Sequence, residues 1–270
     1  MDHWAEHTCL TFEEASDLSG PHLEFKKLSG CYSSLGRLWW QSGRDSSIGE
    51  NCDRIISNIL FTHFAQLGIV AHEIGHAGGF FHEQSASDRH SNIQVNEENI
   101  IEDKLSQFAM QTIGIDVYSV LYDYSSVMHY GSKYFTKNGK LTISTLDPLA
   151  QELIGSRKGL SHYDKLLANR MYSCIDPWLT HCRFESDPCQ NYGYIGKNCA
   201  CVCPPGSSGT NCDITKAGYY ANQEVFFPLG TKCTKKIVAP ECYSPRVTFR
   251  SFRLYGRVTC SDGTSCCYYD

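Results

Sequence analysis

The most apolar stretch of the chain runs from Ile55 to Phe81, yet Asn58, His63, Gln66, His72, Glu73 and His76 interrupt it. So many polar positions make it a poor membrane span. In its first part Ile55, Ile56, Ile59, Leu60, Phe61 and Phe64 recur mostly at helical spacings. Val95 to Phe108 is polar with scattered apolar residues and reads as a loop followed by a short helix. Leu141-Thr142-Ile143 is a short β-like run. Ser161 to Cys174 predicts a helix, with Ser161 as N-cap and Asp164 three residues later. Near the end, Cys233 to Pro240 and the alternating Val247-Thr248-Phe249-Arg250-Ser251-Phe252 read as strands. The pattern as a whole is that of a mixed α+β chain.

Cysteine usage sharpens this picture. A chain of 270 residues allows one medium domain and one or two small modules, and its 15 cysteines favour an oxidising, extracellular setting. Cys9, Cys31, Cys52 and Cys174 are spread widely, six cysteines cluster from Cys182 to Cys212, and five lie in the tail from Cys233 to Cys267. The odd tail count leaves one thiol without an obvious partner. The net charge of −5, with mixed signs, offers no basic patch for nucleic acid. The polar start, Met1-Asp2-His3-Trp4-Ala5-Glu6-His7, lacks the apolar core of a signal peptide, so the chain reads as one whose secretory leader is missing.

The candidate chemistry lies in His72-Glu73-Ile74-Gly75-His76-Ala77-Gly78-Gly79-Phe80-Phe81-His82. Histidines four apart on a helix differ by about 40° around the axis and about 6 Å along it, so both imidazoles can face one metal ion. A continued helix would carry His82 about 15 Å beyond His72 and onto another face. His82 joins the set only if the helix stops, and Gly79 suits that stop because glycine accepts a positive φ. Three histidines leave a fourth zinc position open for water, the catalytic rather than the structural arrangement. Bound zinc lowers the pKa of such a water to roughly 7, and Glu73 beside the first ligand is placed to take its proton as general base. His3, His7, His22, His63, His162 and His181 lack ligand spacing and read as ordinary polar residues. The run Cys199-Ala200-Cys201-Val202-Cys203 offers thiols to a metal, but an oxidising compartment favours bridges.

The extended histidine pattern is the metzincin signature. Ser126-Val127-Met128-His129-Tyr130 fits the Met-turn that lies beneath the metal in that clan, and Glu83 directly follows the third histidine. Together with Tyr122 to Gly131 and Gly159 to Cys174, these residues resemble the astacin family of zinc metallopeptidases over almost all of residues 1–176. The resemblance implies one Zn2+ per catalytic domain, held by His72, His76, His82 and, at rest, Tyr130. It implies that Tyr130 swings out to stabilise the oxyanion. It also implies a long zinc helix under a twisted sheet, bridges Cys9–Cys174 and Cys31–Cys52, and a substrate lying extended along an edge strand.

Four features depart from the family pattern. The chain begins partway along the first helix, without the mature N-terminus that Glu83 contacts in the family. The interval from Cys52 to His72 is about a dozen residues longer than usual, an insertion near Ile55 to Gln66 that either extends the zinc helix or loops out. Ala86 and His90 stand where arginine and aspartate are usual, and Leu38-Trp39-Trp40-Gln41 is atypical near the substrate edge.

Pro177 opens a second region. The spacing of Cys203, Gly206, Gly209 and Cys212 resembles the end of an EGF-like module, which is too small to stand without disulfide staples. Residues 215–270 resemble part of a CUB-like β-sandwich. The expected organisation is therefore a peptidase domain over 1–176, an EGF-like module over 177–214 and a partial CUB-like domain over 215–270. The expected function is secreted endopeptidase hydrolysis of extracellular proteins or peptides, with protein partners met through the C-terminal modules. The rival is an inert matrix or adhesion protein that uses those modules alone.

Overall fold

The computed structural model describes residues 1–36, 42–49, 52, 62–112, 118–215, 255–259 and 265–268. The chain forms two compact units, Met1–Asp187 with Ile195–Cys199 and Pro188–Tyr194 with Ala200–Asp270.

The first unit is built on a three-stranded sheet of β1 (His22–Lys26), β2 (Cys31–Ser33) and β3 (Gly43–Ile48) in the order β1-β3-β2. β1 runs parallel to β3 and β2 antiparallel to it. A short N-terminal helix, α1 (Asp2–His7), precedes the sheet, and helix α2 (Thr62–Ala77) packs against β2 and β3. Helix α1 inserts Trp4 beside α2, and the indole N–H donates to the Ala71 carbonyl at 3.1 Å. A second ladder pairs β4 (Ile93–Val95) with β5 (Ile143–Thr145), antiparallel.

Two buried clusters flank the end of α2. One joins Trp4, Ala71, Ile74, Phe80, Val127, Met128, Leu160 and Ala168, and so ties α1 and α2 to the segment around Met128. The other joins Ile93, Ile100, Phe108, Tyr130, Ile143 and Ile154. Gly75 makes the first cluster possible: a Cβ there would lie 2.8 Å from the Met128 sulfur.

Helix α3 (His162–Met171) starts as its sequence predicts. The Ser161 hydroxyl accepts the Asp164 N–H at 2.8 Å while the Asp164 carboxylate accepts the Ser161 N–H at 2.9 Å, a full capping box. The helix ends three residues earlier than expected, and Ser173 reverses the chain at φ 52°. Helix α4 (Ile175–Cys182) follows and carries Pro177 in its first turn, where a missing N–H costs no hydrogen bond. The helix therefore runs across the residue at which the second region is expected to begin.

Bridges join Cys9 to Cys174 and Cys31 to Cys52, as the resemblance implies. Further along, Cys182 pairs with Cys199, Cys189 with Cys201 and Cys203 with Cys212. The three thiols of the 199–203 run are thus committed to bridges rather than to a metal.

Several expectations shift in register. The run at Leu141 becomes a strand only from Ile143; the Thr142 N–H and hydroxyl bond the carbonyls of Ser132 and Tyr134, each at 2.9 Å. Val95 to Phe108 forms the end of β4 and two 3-10 helices, Glu97–Asn99 and Glu102–Phe108. Thr62 to Gln66, the end of the long interval before His72, continues α2 backwards as helix. The remainder of that interval, residues 53–61, lies outside the described residues, as do Leu38 to Gln41 and the expected strands at 233–240 and 247–252. In the second unit, Ser207–Ser208 pairs with Ile214–Thr215, and Tyr255–Thr259 with Ser265–Tyr268, both antiparallel.

Candidate active site

His72, Glu73 and His76 leave the last two turns of α2, and the helix then stops as Gly79 requires. Gly79 adopts φ 94°, its N–H bonds the His76 carbonyl at 2.9 Å, and the Phe80 N–H bonds the Gly75 carbonyl at 2.9 Å. These are the two bonds of a Schellman stop. The turn brings His82 back beside the helix. The ligand atoms of His72, His76 and His82 all lie within 4.8 Å of one another. Ring centroids are 4.6 Å apart for His72 and His76, 4.5 Å for His76 and His82, and 5.2 Å for His72 and His82.

The far nitrogens of two of these rings are already occupied. His72 Nδ1 meets the Val127 carbonyl at 2.7 Å, and His76 Nδ1 meets the Phe80 carbonyl at 2.8 Å. A carbonyl only accepts, so both Nδ1 atoms carry the proton and both Nε2 atoms present lone pairs. His76 Nε2 and His82 Nε2 are 3.1 Å apart. Two ligands at ~2.0–2.1 Å on a tetrahedral ion would be separated by about 3.3 Å, so the spacing suits zinc. Burial pushes the His72 imidazole well below its usual pKa, lowers His76, and takes His82 down to about 3. All three rings are neutral at physiological pH, as metal ligation demands.

Glu73 is 3% exposed and its Oε2 has no hydrogen-bond partner. Burial raises its carboxyl to about 7, with the positive charge of Arg157 opposing the rise. An unpartnered carboxylate poised near neutrality beside a ligand set is the environment of a proton carrier. The donor set and this orphaned oxygen together fit a catalytic zinc ion. Tyr130 lies across the site, its ring centroid 4.4 Å from that of His82, and burial raises its phenol to about 12.

Residues 1–173 match the family model for Astacin, a peptidase family. The chain belongs to the astacin family. Protein SpAN of Strongylocentrotus purpuratus is 34% identical over 96% of this chain and 44% of its own length. Blastula protease 10 of Paracentrotus lividus is 38% identical over 79% of this chain and 34% of its own. Zinc metalloproteinase nas-36 of Caenorhabditis elegans is 38% identical over 78% and 32%. The chain spans less than half the length of each of these curated relatives. Among solved structures, high choriolytic enzyme 1, a hatching enzyme zinc-protease from Oryzias latipes, superposes with a TM-score of 0.54 at 32% identity, covering 64% of this chain and 79% of that one.

In this astacin the Met-turn is held from every side. The Met128 carbonyl accepts the Glu83 N–H at 3.2 Å, and the His129 carbonyl accepts from Arg157 at 3.0 Å. The Tyr130 N–H donates to Gln84 Oε1 at 3.1 Å, and His129 Nε2 meets the Tyr122 hydroxyl at 2.7 Å. Glu83 itself accepts the Asp123 N–H at 2.7 Å, and burial together with the Asp123 carboxylate holds its pKa well above the usual range. His90 is exposed and Ala86 half-buried.

Sequence reasoning missed Arg157, Gln84 and Asp164. Only Asp164 carried a local signal, as a helix cap. His3, Glu6 and His7 form a second group of possible ligands among the described residues. There, however, His3 Nε2 accepts the Leu160 N–H at 3.0 Å. The neutral ring must therefore carry its proton on Nδ1, which leaves no free lone pair for a metal.

Proposed function

We propose that the chain is a secreted zinc-dependent endopeptidase acting on extracellular proteins or peptides. The observation that carries this reading is the convergence of three neutral histidines beside a buried carboxylate whose Oε2 has no partner. Zinc held by His72, His76 and His82, with Tyr130 as a further ligand at rest, would supply Lewis acidity and an acidified water. Glu73 takes a proton at its unpartnered oxygen and returns it to the leaving amine; a carboxyl poised near 7 can do both at physiological pH. Tyr130 donates its hydroxyl to the oxyanion as the carbonyl carbon becomes tetrahedral, an interaction made mainly in the transition state. His72 and His76 keep fixed tautomers throughout through their Nδ1–H bonds to main-chain carbonyls.

Secretion is supported by the five disulfides among the described residues, since such bridges persist in oxidising compartments. No helix among the described residues is long and apolar enough to cross a membrane. We assign residues 1–176 to the peptidase domain and 177–214 to an EGF-like module. The three bridges among the six cysteines from Cys182 to Cys212 support the second assignment, because so small a fold depends on staples. Residues 215–270 are read as part of a CUB-like β-sandwich that binds protein partners.

The deciding experiment measures zinc content and peptide turnover of the purified chain, with the Glu73→Gln variant alongside. One tightly held zinc per chain, with turnover that collapses in the variant while zinc is kept, is the expected result. A folded chain without zinc would remove the basis of the reading. Zinc without turnover would favour an adhesion role.

A further inference from the structure

We propose that Asp164 is a positioning residue for the metal centre, acting on His72 through the Met-turn; the proposal rests on the zinc reading above. As a sequence feature Asp164 is a helix cap, three residues after Ser161 at the start of α3. A cap needs one carboxylate oxygen. In the structure both are used, and Asp164 is only 4% exposed.

Its Oδ2 accepts the capping N–H of Ser161 and also the N–H of Val127, both at 2.9 Å. Its Oδ1 accepts the hydroxyl of Ser126 at 2.7 Å. The Ser126 oxygen in turn accepts the Met128 N–H at 3.0 Å, which fixes the direction in which that hydroxyl donates. One carboxylate thus holds two consecutive residues of the Met-turn, Val127 and Ser126, 37 and 38 positions away in sequence, and reaches the Met128 N–H only through the Ser126 oxygen. The held segment includes the Val127 carbonyl, which accepts His72 Nδ1–H.

The three ligands do not depend equally on this arrangement. His76 is oriented by the Phe80 carbonyl, four residues on and inside the same helix stop. His72 is oriented across 55 residues by a carbonyl of the Met-turn. Outer partners of metal-bound histidines fix ring orientation and basicity, and their loss typically costs 10–100-fold in metal affinity. Asp164 therefore acts one step further out, on the ligand whose orientation is purely tertiary.

A helix cap and a positioning residue predict different outcomes. Ser161→Ala removes the hydroxyl side of the capping box, and with it the bond that hydroxyl donates to the Asp123 carboxylate, but leaves the bonds from Asp164 to Val127 and Ser126. Asp164→Ala removes both roles, Asp164→Asn restores the shape, and Ser126→Ala removes the hydroxyl that donates to Asp164 and accepts the Met128 N–H. Zinc dissociation constants of the full chain are measured by competition with a chromogenic chelator. Thermal unfolding of the metal-free forms and the visible spectrum of the Co2+-substituted forms are recorded in parallel.

Ser161→Ala should unfold at lower temperature with an unchanged zinc constant. Asp164→Ala should raise the zinc constant at least tenfold and alter the Co2+ spectrum, with Asp164→Asn between it and the parent. Ser126→Ala should weaken zinc several-fold, and it decides the question if Asp164→Ala does not fold. Equal zinc constants for the parent and the folded Asp164 or Ser126 variants would overturn the positioning role and leave the zinc reading intact. A parent chain that binds no zinc would overturn both.

Discussion

Replacing Glu73 by Gln should stabilise the metal-free protein above neutral pH and leave it nearly unchanged in acid. Glu73 is almost fully buried, one oxygen is unpartnered, and burial moves its pKa from 4.5 to about 7. Below pH 4.5 the native and unfolded chains both hold the proton, so the group is neutral to folding. Between 4.5 and about 7 the unfolded chain ionises while the native chain does not; the native state then binds more protons, and stability falls as pH rises. At about 1.4 kcal/mol per pH unit the loss totals about 3 kcal/mol, complete above pH 7. Glutamine has the same shape and no charge, so the variant escapes the loss. For a domain of this size the gain in Tm at pH 8 is up to about 10 °C. The assay is thermal unfolding of chelator-treated parent and variant at pH 4.5 and pH 8, at one scan rate. Zinc should shrink the difference, because a cation favours the ionised carboxylate. A gain of equal size at both pH values, or none at pH 8, would refute burial of an unpartnered carboxyl as the cause.

Three other perturbations have defined outcomes. Tyr130→Phe should lower kcat by about 10²–10³-fold with little change in KM, as expected for a donor used in the transition state; steady-state kinetics that changed KM alone would exclude the oxyanion role. Gly79→Ala forces a side chain into φ 94°, at a cost of about 1–2 kcal/mol, and should lower Tm and weaken zinc together because His82 lies just past the turn. Zinc affinity unchanged in a chelator titration would show that the turn does not position His82. Replacing Cys9 and Cys174 by serine opens a bridge across 165 residues and should cost about 2–5 kcal/mol in chemical denaturation; an unchanged midpoint would show that the bridge adds nothing to stability.

Features that depend on a few adjacent residues were legible in the sequence. The i, i+4 pair His72 and His76, the stop at Gly79 and the capping pair Ser161 and Asp164 each follow from helical geometry within one or two turns. The resemblance added the pairing of Cys9 with Cys174 and Cys31 with Cys52, which spacing alone left among three possibilities. Element edges were less legible, because backbone groups such as the Thr142 N–H are claimed by distant carbonyls. The electrostatics of the site were beyond the sequence. Glu73 is shifted by burial beneath residues far along the chain and by the charge of Arg157, which no spacing rule connects to it.

Sequence by itself determined which residues could bind a metal and where the chain must turn to let them. It did so because ligand spacing on a helix and the positive φ of glycine are local properties. Only the tertiary structure decided how those ligands are held. The Val127 carbonyl reaches His72, Gln84 reaches the Tyr130 N–H, and Asp164 reaches Ser126 and Val127, across separations of 37 to 55 residues. Hydrogen bonds of that range exist only once the two buried clusters have packed α2, α3 and the Met-turn together, since burial excludes the water that would otherwise satisfy each of these groups.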